Sequence, residues 1–421
     1  MKRNLNTSPS LADNQPQDRK KLILRFAAFA VFLVIAVVAV TVGVSNLNRV
    51  EEGLQTIEAS LDKEVPLYQS GVSFRHWFSG SSSAIRLGVK ELTELYSASL
   101  KDVYRLLDPE NSYESWTNLA TVNQNRGREI TVPRELYELL RQADALTRRG
   151  GAYNLYAGAF YAEWESLRYQ LEPEASDPLN DPEEAERLRR LAEASAELSN
   201  FSLEFLDDAG CSLRFTVSEG YLALLRELEL TEAPILDLNL LEDAFKLQLT
   251  AERLEQRGYD CGYLSTDSGL TLALSACTEG GSYALYGAGE GKPLPAAWCP
   301  MLPGSSAAFL RAFALEDEAG YYSLERDGAE ILRHPWLPAD GQDRQLLEAA
   351  LVRGAQKSLP ETCYACLQLY SADSLDRAGA LLAELPGFDA ALLLRQTPDT
   401  VYIRGAVEAV GENGYHSEPI P

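Results

Sequence analysis

Phe26 to Val44 reads FAAFAVFLVIAVVAVTVGV, 19 residues without one charge. As a helix at about 1.5 Å per residue this run is about 28 Å long, enough to cross the hydrocarbon core of a bilayer. The 25 residues before it hold Lys2, Arg3, Arg19, Lys20, Lys21 and Arg25 against Asp13 and Asp18, whereas the whole chain nets −24, so charge changes sign at the apolar run. Basic flanks stay cytoplasmic. The expectation is a single-pass protein of the cell membrane, with a cytoplasmic tail over 1–25, a transmembrane helix over 26–44 and an extracytoplasmic remainder. A cleaved signal peptide, the alternative, calls for an apolar core of only ~7 to 15 residues and a small-residue exit, and fits less well.

The acidity beyond the span repels a phosphate backbone, so no nucleic-acid partner is expected. Three histidines, His76, His334 and His416, are too few for a His-rich metal centre, so any metal would be oxygen-bound. The six cysteines allow three bridges in 15 connectivities, among which the sequence does not choose. Cys363 and Cys366 form a CxxC, a pattern also used in redox chemistry. TCYACLQLY alternates like a strand, however, which would put the two thiols on opposite faces and make them structural.

With 421 residues the chain has room for two or three domain-sized units. Leu47, Val50, Leu54, Ile57 and Leu61 recur at helical spacing and predict a helical stalk over 45–64. SFRHWFSGSSSAIRLGV then reads as strand, turn, strand. Helices follow over Lys90–Leu107, Pro133–Arg149 and Ala185–Leu198, the second closed by Gly150-Gly151. The acidic, proline-punctuated stretch 172–184 reads as an exposed loop. After Asn200 the strand-like SLEFL and SLRFTV lead to ILDLNLL and a helix to Gln256. YDCGYLS and GLTLALSA look like paired strands, 287–306 like a long irregular loop, and the remainder like strands with short helices. The pattern is α+β, with one domain over 65–405 and a flexible tail over 406–421.

GGAYNLYAGAFYAEW (150–164) resembles the GAFDPTVGPLxxLW signature of the FAD:protein FMN transferases, the ApbE-like family, with Gly151, Ala152, Tyr153, Gly158 and Trp164 in register. The preceding ELYELLRQADALTRRGG is similar to that family's ELxELLxxALxLSxxTGG, and TNLATVNQN stands where it has SEISRLN. LDLNLLEDAF (236–245) resembles LDLGGIAKGY, and RHPWLPADG (333–341) lies where HIIDPRTG is expected. LLAELPGFDAALLLRQTPDTVYIRG is similar to the last helix and hairpin. The resemblance implies an ApbE-like flavin transferase fold and an enzyme that splits FAD with Mg²⁺ and attaches FMN to a Ser or Thr of a partner protein. It places Asn123, Gly151, Tyr153, Asn154 and Gly158 at the flavin, Asp237 and His334 at the chemistry, and Asp373 and Glu242 at the metal.

Plainer roles stand beside these. Asp373 sits in Ser-Ala-Asp-Ser, an ordinary helix N-cap; His334 before a proline is equally a loop residue; Tyr153 and Trp164 suit a core. The chain also departs from the family pattern. The Lys of GIAKG falls on Asp243, the Ala whose carbonyl helps hold metal on Glu242, and the Thr metal ligand on Arg377. The NxGGD turn falls on 265–269 and loses both glycines. Three readings result: an ApbE-like pseudoenzyme that keeps flavin or partner binding, a working Mg²⁺-dependent transferase with relocated ligands, or a membrane-tethered structural protein. The topology is testable: protease added to intact cells is expected to remove the acidic domain and spare the basic tail, and a fully protected domain would contradict it.

Overall fold

The computed structural model describes residues 51–60, 71–276, 281–289, 292–314 and 318–421. The expected membrane span and cytoplasmic tail lie outside the described residues, among which no helix is long and apolar enough to cross a membrane. The described residues fall into two units, 51–53 with 79–87, and 54–78 with those from 88 onward. The first unit contains the opening of helix α1 (Ser82–Leu107), and the second carries the remaining helices and the sheets.

The helices after α1 are α2 (Leu119–Gln124), α3 (Arg134–Arg149), α4 (Gly158–Arg168), α5 (Pro182–Ala196), α6 (Glu219–Glu227), α7 (Glu242–Glu255), α8 (Leu359–Tyr370) and α9 (Leu375–Glu384). The strands are β1 (Gly53–Ile57), β2 (Val72–Phe78), β3 (Glu129–Thr131), β4 (Phe201–Asp207), β5 (Ser212–Val217), β6 (Gly262–Thr266), β7 (Leu270–Ala273), β8 (Ser282–Gly287) and β9 (Leu294–Pro300). They continue with β10 (Ser306–Arg311), β11 (Tyr322–Arg326), β12 (Ala329–Arg333), β13 (Leu347–Gly354), β14 (Phe388–Leu394), β15 (Thr397–Arg404), β16 (Glu408–Ala409) and β17 (His416–Pro419). One sheet of nine strands runs β1-β2-β6-β7-β10-β13-β14-β15-β17, beside the smaller sheets β3-β5-β4 and β16-β9-β8 and the hairpin β11-β12. The α+β expectation holds, with β6 and β7 paired antiparallel.

The centre of the large sheet is covered on both faces. Ala307, Ala349, Leu351, Ala391 and Leu393 pack against Leu285, Ala296, Ala297 and Cys299 of the small sheet. Helix α8 lies on β10 and β13. Residues on a strand alternate between faces, so only a strand buried on both, such as β13, loses the polar alternation.

Several expectations are corrected. TCYACLQLY is helical, not a strand: Ser358 and Glu361 form a capping box and Pro360 occupies the first turn. The helix is buried almost all round, so it shows no polar face from which a 3.6-residue period could be read. Cys211, Cys299, Cys363 and Cys366 are free thiols, and burial pushes the Cys363 and Cys366 thiols up, away from a reactive thiolate. Of the expected helical stalk 45–64 the structure describes 51–60, where Gly53–Ile57 is the strand β1 and Gly53 takes φ +135, which a helix does not allow. SSSAIRLGV opens α1 instead of forming a strand. The irregular stretch 287–306 contains β9, whose Pro295 sits at a register shift where a missing N–H is tolerated. The tail 406–421 is structured: β16 pairs with β9 and β17 runs parallel to β15. The HSEP side chains of β17 are all exposed, so hydropathy does not reveal it.

The acidic stretch 172–184 is anchored as well. Asp177 is completely buried and accepts two bonds from Arg333, Nε at 2.7 Å and Nη2 at 2.9 Å, and one from the Tyr322 hydroxyl at 2.8 Å. Burial favours its neutral form, but Arg333 and the Leu179 N–H outweigh that and hold the carboxyl below its usual range. Removing Asp177 leaves Arg333 buried with Asp343 as its remaining carboxylate partner, which costs up to ~3 to 5 kcal/mol. Asp177→Ala is therefore expected to lower the unfolding free energy by about that much in urea titration; a loss under ~1 kcal/mol, the worth of a surface pair, would contradict this.

Candidate functional site

Helix α4 presents Tyr161, Trp164, Glu165 and Arg168 at positions i, i+3, i+4 and i+7, one face of a helix. That face walls a cleft of about 380 Å³. The opposite wall is 234–243, which enters α7, with Asp267 and Ser268 from the β6–β7 turn and Tyr321, Pro335 and Trp336 closing the rim.

The 234–243 wall is held by side chains in place of strand pairing. The Asn123 amide accepts from Leu236 N–H at 2.8 Å and donates to Leu236 C=O at 2.9 Å. Asp237 N–H donates to Leu155 C=O at 3.0 Å and Gly158 N–H to Ile235 C=O at 3.2 Å. A Cβ on Gly158 would lie 2.5 Å from Pro234 O and 2.9 Å from Asp237 Cβ, so only glycine lets α4 approach this closely. Asn154 donates to Ser195 C=O at 2.7 Å, and its own carbonyl accepts from Asn239 at 3.3 Å. Asn123, Asn154 and Gly158, expected at the flavin, thus lie behind the wall and position Asp237.

Asp237 lines the cleft, its Oδ1 accepting from Asn239 N–H at 2.8 Å. Burial first, then the Glu242 carboxylate, pushes its pKa from 3.8 up to about 7. Glu242 lines the same cleft and burial raises it too, against the pull of Lys246. Asp243 is not the lone anion that the sequence suggests. Lys246 Nζ lies 2.9 Å from its Oδ1 and 3.5 Å from Glu242 Oε1, and Ser268 donates to Asp243 Oδ2 at 2.7 Å. Burial opposes the charge on Asp243, but Lys246 and Ser268 keep it below its ordinary value.

The remaining candidates lie elsewhere. His334 is buried, accepts Trp336 N–H on Nδ1 at 3.2 Å, and is driven down to about 3 by burial and by Arg168, Arg333 and Arg395. It is neutral at pH 7; its neighbours Pro335 and Trp336, not the ring itself, reach the cleft. Tyr153 is a core residue, 1 % exposed. Gly151 takes φ +95 against the Gln368 side chain, where a Cβ would clash. It lines a separate cleft of about 170 Å³ with Asp373, Arg344 and Arg377. Asp373 is exposed, and the cap of α9 is its neighbour Ser374, accepting Arg377 N–H at 3.2 Å. The two metal candidates, Glu242 and Asp373, are not brought together, and among the described residues no group of three or more His, Cys, Asp or Glu is arranged to hold a metal ion. The donor set does not fit Mg²⁺, which needs near-octahedral oxygen ligands. Sequence reading misses Glu165, Arg168, Asp267 and Trp336; the spacing of the first two with Tyr161 and Trp164 is the available signal.

The fold is one seen in solved ApbE proteins. Two solved structures share it: the ApbE protein of Thermotoga maritima, 12% identical over 86% of this chain and 98% of that one with a TM-score of 0.54, and the flavin transferase ApbE of Vibrio cholerae, 11% identical over 80% and 94% with a TM-score of 0.51. No protein-family model matches the chain, and no curated protein matches it by sequence.

The geometry has two measurable consequences. Gly158→Ala must push 234–237 outward and is expected to cost ~1 to 3 kcal/mol, read by urea unfolding; an unchanged midpoint would refute the close approach. Because the folded pKa of Asp237 is raised, its ionisation is a penalty absent below about 3.8, growing from there to about 7 and constant above. Asp237→Asn removes that penalty, so the variant should gain on wild type at pH 8 and match it near pH 4; an equal offset at both would be the wrong sign pattern.

Proposed function

We propose that this chain is a membrane-anchored, extracytoplasmic protein of flavin-transferase fold in which FAD:protein FMN transfer is lost or greatly weakened and binding by the cleft is kept. The uncharged run 26–44 behind a basic tail supports the anchor. The charge in the cleft supports the loss of transfer. Glu110, Glu165, Asp237, Glu242, Asp243 and Asp267 line it, as does Glu318, and among the described lining residues Arg168 alone carries the opposite sign. Lys246 behind the wall offsets part of this, and Arg311 pairs with Glu318 at 2.7 Å.

A diphosphate placed there meets more carboxylates than cations. Like charges ~4 to 6 Å apart oppose each other by about 3 to 4 kcal/mol at an effective dielectric near 20. One such uncompensated pair corresponds to a loss of roughly 100-fold or more in rate. A metal that bridges phosphates would offset this charge, but of the two side chains expected to hold it only Glu242 lines this cleft, and Asp373 faces another beside Arg377. The aromatic lining of Tyr161, Trp164, Tyr169, Tyr321 and Trp336 suits a planar ring system; the carboxylates do not suit its phosphates.

What this chain's own residues do is bind and orient. Asn123 and Gly158 fix the wall, and Asp237, poised near neutrality, holds or releases a proton at its carboxyl. The full-length protein incubated with FAD, Mg²⁺ and a Ser- or Thr-bearing acceptor domain is expected to add no FMN mass to the acceptor over hours. Ready Mg²⁺-dependent labelling would overturn the proposal.

A further inference from the structure

The small sheet β16-β9-β8 turns an apolar face to the outside. Its register sets Ala284 opposite Trp298 and Tyr286 opposite Pro295. Leu285, Ala297 and Cys299 belong to the core, so by strand alternation Ala284, Tyr286 and Trp298 point away from it. Trp298 is 39% exposed, Tyr286 36%, and Leu302 in the turn after β9 41%. Large apolar side chains scattered singly over a surface are ordinary, whereas a contiguous group of them marks an interaction site. Glu408 of β16 lies opposite Trp298 and borders the group.

Charge and reach together indicate what covers this face. From Ser268 to Leu310 the sequence carries Glu279, Glu290 and Lys292 as its charged residues, in a chain that is 24% charged. A charged partner finds little to pair with there. Anionic lipid repels the acidic remainder of the domain, so an uncharged face is where the bilayer is approached at least cost. Trp and Tyr, each an apolar ring with one polar atom, settle at the level of the lipid headgroups.

The tether is long enough. Leu54 of β1 follows Val44, the end of the uncharged run, by ten residues, a stretch that spans at most about 36 Å. In the large sheet four steps, β1-β2-β6-β7-β10, lead to the strand on which the small sheet packs, about 19 Å at ~4.8 Å per step. The displacement is well inside the reach.

We propose that the outer face of the small sheet rests on the lipid headgroups of the membrane that holds the chain, a second contact that fixes how the domain lies. This rests on the reading of 26–44 as a membrane anchor. The two are told apart by separate readouts, flotation for the anchor and quenching for the contact.

For the test, the full-length protein is reconstituted into phosphatidylcholine vesicles with and without bromine on the acyl chains, floated on a density gradient, and read by tryptophan emission, which nearby bromine quenches. The floating chain is expected to lose emission in the brominated vesicles. Of the five tryptophans only Trp298 is exposed, so Trp298→Phe should remove most of that loss. Leu302→Asp, which sets a charge on the face at an exposed position, should reduce it at least twofold, as should replacing half of the lipid by phosphatidylglycerol. Flotation without quenching, quenching unchanged in both variants, or quenching that rises with phosphatidylglycerol would overturn the contact alone. So would a Trp298 that is shielded from acrylamide but not reached by bromine, because a second copy or another protein would then cover the face. A chain that fails to float would overturn the anchor, and the contact with it.

Discussion

Leu236 lies outside any helix or strand, yet it is completely buried, and its two backbone groups are satisfied by a single side chain, the amide of Asn123. A buried N–H or C=O left without a partner costs ~1 to 3 kcal/mol. The clasp therefore bears on whether 234–243 can run through the interior at all. Asn123 is in turn tied to Pro109 C=O at 3.1 Å, and its helix α2 is capped by Asn118, whose amide bonds back to the end of α1. Through these links the end of α1, helix α2 and the cleft wall form one connected polar network, and Gly158 closes it from the side of α4. The carboxylates of Asp237 and Glu242 stand at fixed positions because of it.

The fold is legible where local chemistry and tertiary packing agree. Helix α3 begins after Pro133 and ends at Gly150, as its start and stop residues require. The β6–β7 and β4–β5 hairpins follow alternating strand-like runs. Legibility fails where burial removes the pattern or where pairing overrides it. Helix α8 is covered on all sides, so TCYACLQLY carries no helical period. Strand β17 pairs through its backbone and one side-chain bond, His416 Nε2 to Thr400 Oγ1 at 2.9 Å, and its four side chains, HSEP, are exposed. Asp177 sits in a stretch whose composition reads as a solvated loop, and only Arg333, 156 residues later, makes it a buried ion pair. No local window contains that partner.

The site is legible in the same uneven way. Asp237 stands out because LDL retains a motif; Asn123, Asn154 and Gly158 stand out in the right region with the wrong task. A motif marks that a side chain is constrained, but sequence does not distinguish contact with a ligand from contact with the wall behind it. For Gly158 the distinction comes from the 2.5 Å approach of Pro234 O. For Asn123 it comes from the two bonds to Leu236. Glu165 and Arg168 lie outside the motif and are reachable only by drawing α4 as a helix and asking which face it buries.

The positions that hold the backbone and the positions that would face a phosphate therefore behave differently in this chain. Asn123, Gly158 and Asp237 stand in the segments that resemble the transferase motifs, and each is explained by packing or hydrogen bonding of the wall. Asp243 and Arg377 stand where those motifs have residues for metal and phosphate. Asp243 is held between Lys246 and Ser268 and braces the entry of α7. Such a pair is self-sufficient: with its ammonium 2.9 Å from one carboxylate and 3.5 Å from the next, Lys246 has no charge left over for a ligand. The wall's geometry depends on backbone groups that must be satisfied in any case. The charge it presents depends on side chains that the fold leaves open to change, and in this cleft that charge is negative.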